Sequence, residues 1–313
     1  MSDKQPTPLT IPDYAIIVRS KTRLEALIER FNTRAQAEFY INSLGGNFGE
    51  YEAEHTIFYR CLNEVQASLG KHLKNKILYR EYLTNYVFSD RNLIVVVGQD
   101  GLVANTAKYS RGVPIIGVNP DPERYDGVLL PYSRHDFMDA VRRVLTGSFA
   151  HTDRRFAEAR LSDGQSLLAF NDLFIGAASH VSARYELDYA GQREVQSSSG
   201  LIVSTQAGST GWFSSVINMA RGIAGNEAKL DPLQFRPSAE ELVFAVREPF
   251  ASVQTGIDIV TGRIDTQRPL QICSRMPQNG VIFSDGIEAD FLSFTSGVVT
   301  QVGLSDAYCR LVD

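Results

Sequence analysis

Leu93-Ile94-Val95-Val96-Val97-Gly98-Gln99-Asp100-Gly101-Leu102 is an apolar run cut off by two glycines that flank a carboxylate. Consecutive aliphatic residues bounded by turn formers suit a strand buried on both faces, as in a parallel sheet. The turn that closes such a strand is where ligands sit in an open α/β sheet. Gly98 and Gly101 let backbone N–H groups approach an anion with no Cβ in the way, and Asp100 adds a side chain able to accept a proton or hold a hydrated cation. That combination suits phosphoryl transfer. The same letters also read as a hairpin, because Asp-Gly after an apolar run is a strong hairpin signal. A hairpin needs an alternating strand directly after Gly101, whereas Leu102 to Tyr109 does not alternate and the next strand-like run is Pro114 to Val118. A helix of roughly two turns, ended by Gly112, fills the gap better and makes a β-loop-α-β crossover.

Working outward toward the N-terminus, Tyr14 to Val18 reads as a first strand, and Leu24, Leu27, Ile28 and Phe31 within Lys21 to Phe31 fall at helical spacing. Asn32-Thr33 caps a second helix that ends near Gly45-Gly46. A third, from about Tyr51 to Leu69, sets Phe58, Cys61, Leu62, Val65 and Leu69 on one stripe. These stripes are core faces. In the other direction, Pro114 to Asn119 is a further parallel strand, Asp121 to Gly127 a polar loop, and Asp136 to Leu145 a helix with Phe137, Ala140, Val141 and Val144 inward.

From Asp153 the hydrophobic period changes from helical to alternating. Arg155 to Leu161, Leu167 to Gly176, Ser182 to Tyr189, Gln192 to Ser197, Glu241 to Arg247, Ile257 to Thr261, Gln271 to Arg275, Val281 to Phe283 and Val298 to Gly303 are strand-like segments. Asp285-Gly286 reads as a hairpin turn with no chemistry of its own. The boundaries expected are an α/β nucleotide-binding domain over 1–150, an all-β domain over 151–295, and a final segment, 296–313, returning to the first.

Two stretches in the second half stand out. Asn171-Asp172 interrupts an apolar strand, and adjacent strand residues face opposite ways, so at least one of them needs a polar partner in the core or a cleft. A turn or edge can satisfy both; so can ligand hydroxyls. Leu201 to Val203 is a strand, Gly208 to Gly211 a small-residue turn and Trp212 to Met219 a helix, which presents N–H groups and the Ser209 and Thr210 hydroxyls to an anionic or ribose-bearing ligand, or simply caps the helix. Ala207 to Gly211 is one residue away from a hydrolase nucleophile elbow, but His55, His72, His135, His151 and His180 all precede Ser209, against the chain order of that fold.

Whole-chain composition bounds the partners. With 313 residues, 43% apolar and 21% charged, the chain has ordinary globular composition, and its net charge of −5 gives no nucleic-acid footprint. No apolar run approaches membrane-span length, and Met1 to Thr10 is a polar tail without a secretory signal, so a cytoplasmic protein with no membrane or nucleic-acid partner is expected. Three widely spaced cysteines, Cys61, Cys273 and Cys309, read as reduced thiols in packing positions, and nothing resembles a zinc site.

Gly98-Gln99-Asp100-Gly101 resembles the Gly-Gly-Asp-Gly signature of the NAD kinase and diacylglycerol kinase superfamily. Asn171-Asp172 resembles the pair with which NAD kinases grip the dinucleotide, and Ser204 to Trp212 their Gly-Ser-Thr-Ala-Tyr stretch, in the family's order between residues 93 and 290. The resemblance implies an NAD kinase-like fold, a Rossmann-like parallel-sheet domain followed by a layered β domain. It implies transfer of the γ-phosphoryl of ATP, with Mg²⁺, to the 2′-hydroxyl of the adenosine ribose of NAD. Asp100 would be the base; Gly98, Gln99 and Gly101 would meet the ATP phosphates; Asn171, Asp172, Ser199, Thr205, Ser209, Thr210, Gly211 and Trp212 would hold NAD. A homodimer or homotetramer is implied as well. Gln99 replaces a glycine of the signature, Ser199 stands where most members carry an aspartate, the chain lacks the glycine- and leucine-rich turn with which the family usually follows this region, and the helical segment before Leu93 is longer than is typical. A catalytically silent nucleotide-binding regulator, or a kinase with a lipid or sugar acceptor, is the alternative.

Overall fold

The computed structural model describes residues 10–225 and 232–313, so nearly all of the expected polar tail lies outside the described residues. It divides into two compact units, Met1–Asp153 with Cys309–Asp313, and Arg154–Tyr308.

In the N-terminal unit the apolar run is a strand, as expected. β3 (Asn92–Val97) is buried at every position and pairs in parallel with β1 (Tyr14–Arg19) on one edge and β4 (Pro114–Val118) on the other. With both edges and both faces covered, only aliphatic side chains suit it. The hairpin alternative fails, because α4 (Asp100–Ala107) follows at once and buries Leu102 to Ala107 against the sheet. Upstream lie α1 (Arg23–Phe31), α2 (Arg34–Ser43) and α3 (Phe48–Leu69), whose buried stripe Phe58, Cys61, Leu62, Val65 and Leu69 joins β1 and β3 in one core. Burial pushes the Cys61 thiol up to about 12, which leaves it a packing residue. β2 (Lys74–Tyr79) is not foreshadowed by the sequence pattern: it is an edge strand paired only with β1, and its two exposed lysines, Lys74 and Lys76, mask the apolar signal while guarding the edge. The strand order β2-β1-β3-β4 puts a topological switch between β1 and β3. α5 (Phe137–Leu145) buries the four residues read from its spacing, and Arg310 and Leu311 pair in parallel with Pro114 and Ile115.

The C-terminal unit is antiparallel. One sheet runs β12 (Thr261–Ile264), β11 (Leu242–Val246), β10 (Leu201–Ser204), β7 (Asp172–Ala177), β14 (Gly280–Ser284), β15 (Ile287–Ser293). The second includes β5 (His151–Leu161), β6 (Ser166–Ala169), β8 (Ala183–Tyr189), β9 (Gln192–Ser198), β13 (Leu270–Ser274) and β16 (Val299–Val312). Leu173, Ile175, Leu201, Val203, Leu187, Ile272 and Ile282 meet in its core. α6 (Trp212–Ala224) covers β10 and β11 through Phe213 and Ile217 against Val243 and Ala245. The architecture read from the sequence, a parallel α/β unit followed by a layered antiparallel one, is therefore observed.

Two strand expectations are corrected. Leu167 to Gly176 is not one strand but two, broken at Phe170-Asn171. Ile257 to Val260 is not strand, because side chains replace the ladder: Glu194 accepts from the amides of Asp258 (2.8 Å) and Ile259 (3.3 Å), and Gln196 donates to the Ile259 carbonyl at 2.9 Å. The ladder with β11 runs from Thr261, preceded only by the Val246 amide donating to the Val260 carbonyl at 2.8 Å.

Candidate functional site

A cavity of about 280 Å³ opens in the N-terminal unit where the chain leaves β1, β3 and β4, at the switch point of the sheet. Ser20 to Arg23 line it after β1, Gly98, Gln99, Gly101 and Leu102 after β3, and Pro120 and Asp121 after β4. A Cβ built on Gly101 would meet nothing within 4 Å, so the glycine leaves open space at the start of α4. Gln99 is exposed and makes no cap hydrogen bond to the helix.

Asp100, between the lining residues Gln99 and Gly101, is not itself among the residues that line the cavity; its side chain is fixed by the 127–130 turn. Its carboxylate accepts from the amides of Leu129 (2.7 Å) and Val128 (3.2 Å). That turn is pressed onto β4: a Cβ on Gly117 would lie 2.2 Å from the Leu129 carbonyl oxygen, and Gly127 holds φ +62°. Asn119 shapes the loop before it, donating to the Tyr125 carbonyl at 2.8 Å and accepting from the Asp121 amide at 3.0 Å.

The cavity wall after β1 rests on a buried ion pair that sequence reasoning missed. Arg19, 1% exposed, reaches Glu25, donates to the Tyr59 hydroxyl at 2.8 Å and lies over the rings of Phe58, Tyr59 and Tyr79. Glu25 also accepts from Tyr59 at 2.6 Å and from the Thr22 amide at 2.7 Å, closing a capping box on α1. Burial pushes Glu25 up, but Tyr59, Thr22 and Arg19 together hold it below the ordinary carboxylate range. An apolar run that ends in an arginine gives no hint that the arginine is inside.

In the C-terminal unit the two motifs singled out from sequence come together. The Thr205 hydroxyl donates to the Phe170 carbonyl at 2.6 Å, and its amide to the Asn171 carbonyl at 2.9 Å. A Cβ on Gly208 would sit 2.2 Å from the Asn171 carbonyl oxygen, so only glycine permits the approach. Ser209 is buried and turned inward, donating to the Gln206 carbonyl at 2.8 Å, whereas Thr210 and Gly211 are exposed. Asp285, read as a plain turn residue, does more than turn the chain: its carboxylate accepts from the amides of Phe170 (3.1 Å), Asn171 (2.7 Å) and Asp172 (3.3 Å). The hairpin itself is real, with Asp285 and Gly286 at φ +54° and +71°.

Asp172 is the perturbed group of this cluster. Its Oδ1 is buried without a hydrogen-bond partner, and burial, with the Asp285 charge adding to it, pushes its carboxyl up to about 7. A buried polar atom left unmatched in this way is a place for a ligand donor.

On the face of β7 that carries Asp172, Phe174 stacks on Trp212 (5.7 Å between centroids, 9° between planes) and on Phe283 (4.8 Å). The Arg247 guanidinium lies 5.3 Å from the centre of the Trp212 ring. These residues, with Ser199, Glu248 and His180, line a cavity of about 600 Å³. Ser199 donates its hydroxyl to the Glu248 carboxylate, so a negative charge stands beside the neutral residue. Among the described residues no three His, Cys, Asp or Glu side chains gather as a metal cage. Mg²⁺ needs no such cage when substrate phosphates supply its oxygens, and Asp121 beside Gly101 offers one carboxylate, which fits.

No family model matches the chain. It is similar to the NAD kinase of Heliobacterium modesticaldum, 34% identical over 39% of this chain and 44% of that one. It is also similar to human mitochondrial NAD kinase 2, 23% identical over 77% of this chain and 72% of that one. The chain thus spans less than half the length of the first relative and under three quarters of the second. Among solved structures, yeast NADH kinase complexed with NADH matches with a TM-score of 0.58 at 12% identity, covering 96% of this chain and 83% of that one. An NAD kinase from Archaeoglobus fulgidus in complex with ATP matches with 0.55 at 18%, covering 96% and 93%. These structural likenesses carry the fold.

Proposed function

Because this chain is a divergent member of the NAD kinase family, we propose that it is a kinase carrying the γ-phosphoryl of ATP to the 2′-hydroxyl of the adenosine ribose of NAD, giving NADP. The observation that carries this reading is the Asp100 carboxylate, fixed by two amides beside the glycine-flanked cavity at the switch point. The amides orient the carboxylate, and its remaining lone pairs take the proton of the attacking hydroxyl. As the new oxygen–phosphorus bond forms, the bond to the β–γ bridging oxygen breaks and ADP leaves. Gly98, Gln99 and Gly101 meet the phosphates with backbone and amide N–H groups. Mg²⁺ bound with ATP would offset negative charge on the phosphates, and Asp121 would be the residue to hold it.

In the C-terminal unit Asn171 and Asp172 take the ribose and amide groups of NAD, and the unmatched Oδ1 of Asp172 supports that role. Thr205, which fastens the two motifs, and Ser209, turned inward, position the site, while Thr210, Gly211 and Trp212 meet the ligand. The aromatic stack receives a flat ring, and Glu248 supplies the carboxylate that Ser199 lacks. We place the enzyme in the cytoplasm as a homodimer or homotetramer, which light scattering would check; no helix among the described residues is long and apolar enough to cross a membrane. The test is an acceptor panel with radiolabelled ATP and Mg²⁺. Label entering NAD or NADH, and neither diacylglycerol nor a sugar, supports the proposal. Label entering a lipid or sugar alone overturns it.

A further inference from the structure

The cavity beside Gly98 has a second wall, built by the long helical segment that precedes β2. Arg23 at the start of α1, Glu54 and Phe58 on α3, and Tyr125 all line it. Arg23 Nε donates to Glu54 at 2.6 Å and Nη2 reaches the same carboxylate at 2.5 Å. Arg124 Nη1, from the loop after β4, stands 3.6 Å from it. The arginines are open, at 49% and 37% side-chain exposure, while the carboxylate between them is only 15% exposed. The Arg23 guanidinium carbon also lies over the Tyr51 ring, 4.5 Å from its centre. Lys21 and Arg80 line the cavity too, and of these Lys21 is already matched by Glu29 (2.8 Å) and Glu81 (3.0 Å).

A guanidinium fork fits carboxylate and phosphate oxygens equally well, and a phosphate offers more charge and more acceptors. Two arginines that share one carboxylate, Arg23 lining the cavity and Arg124 next to the lining Tyr125, are therefore arranged for an anion stronger than the one they hold. We propose that Arg23 and Arg124 bind the distal phosphates of a nucleoside triphosphate or linear polyphosphate, and that Glu54 is an internal stand-in which the incoming phosphates displace. The proposal rests on the nucleotide assignment of the same cavity. It also accounts for the long helical segment, since α1 and α3 carry the arginine and its competitor to the phosphate site. Displacing a carboxylate lowers the affinity that the arginines alone would give, so the device sets how much polyphosphate is needed to fill the site.

Calorimetry of the full chain with sodium triphosphate, ATP and AMP, in EDTA and at low salt, tests this, with Arg23→Gln, Arg124→Gln and Glu54→Gln beside the wild type and thermal melts for each. The expected result is a roughly tenfold or greater loss of triphosphate and ATP affinity in either arginine variant, a several-fold gain in Glu54→Gln, and AMP unaffected in all three. A gain on removing a charge is what a merely bracing Glu54 would not produce. Arg124 is on an exposed loop, so its variant carries the test if Arg23→Gln melts early. Triphosphate binding by both arginine variants at wild-type strength overturns the proposal and leaves the nucleotide assignment standing, as does a loss in Glu54→Gln equal to that in Arg23→Gln. A wild type that binds neither triphosphate nor ATP overturns both. Tighter binding of triphosphate than of ATP would identify polyphosphate as the preferred source.

Discussion

Replacing Asp172 by asparagine should make the protein more stable at pH 8 and change it little near pH 4. In the native protein burial, reinforced by the Asp285 carboxylate, holds the Asp172 proton up to about pH 7, whereas in the unfolded chain the carboxyl ionises near 3.8. Between those values the native state binds the proton and the unfolded state has released it, so stability falls as pH rises. The interval corresponds to about 4 kcal/mol in all, of which about 2.5 kcal/mol falls between pH 5 and pH 8. Asparagine keeps the shape, has no proton to lose and can donate to the Asp285 side, so the variant lacks this slope. Urea unfolding of wild type and variant at half-unit steps from pH 4 to pH 8.5 reads the difference directly. Curves that run parallel across that range would refute the reasoning, since they would mean that Asp172 is ionised and hydrated throughout.

Gly208→Ala should cost about 3 kcal/mol or more, because its Cβ would lie 2.2 Å from the Asn171 carbonyl oxygen and hard against the rest of the Asn171 backbone, whereas Gly222→Ala on α6, with nothing within 4 Å, should stabilise by up to about 1 kcal/mol; thermal melts compare them. Trp212 is the only tryptophan in the chain, so a titration with NAD should quench its fluorescence, and Trp212→Ala should weaken NAD binding roughly tenfold in calorimetry through loss of the stack. Asp285→Asn leaves one oxygen to serve three amides and should lower stability by about 2 kcal/mol in chemical denaturation while weakening NAD more than ATP.

The sequence made the central strand and its crossover legible because Leu93 to Val97 is aliphatic without interruption and the following residues lack alternation. The helical stripes of α3 and α5 were equally plain, since Phe58 to Leu69 and Phe137 to Val144 lie against the same core. The second half was legible as a class of structure but not in its joints. Asp285 was invisible as a latch because its partners are backbone amides 113 to 115 residues away, and no local pattern encodes that distance. The break at Phe170-Asn171 was hidden for the same reason: its amides are satisfied by that carboxylate, not by a strand. Glu248 beside Ser199, and Glu54 between Arg23 and Arg124, are pairings across 49, 31 and 70 residues respectively, set by the fold alone. The glycines at Gly98, Gly101 and Gly208 were found by pattern, but only geometry separates them: Gly208 is forced by a backbone approach, and Gly101 faces open space.

The central claim is that Asp100 serves a transfer to the NAD ribose. It is tested most directly by incubating purified protein with NAD, ATP and Mg²⁺ and quantifying NADP with an NADP-specific dehydrogenase, with Asp100→Asn alongside and its ATP binding measured by calorimetry. The account predicts NADP from the wild type, and from the variant at least a hundredfold less with ATP binding retained. No NADP from the wild type, or equal NADP from both, would contradict it.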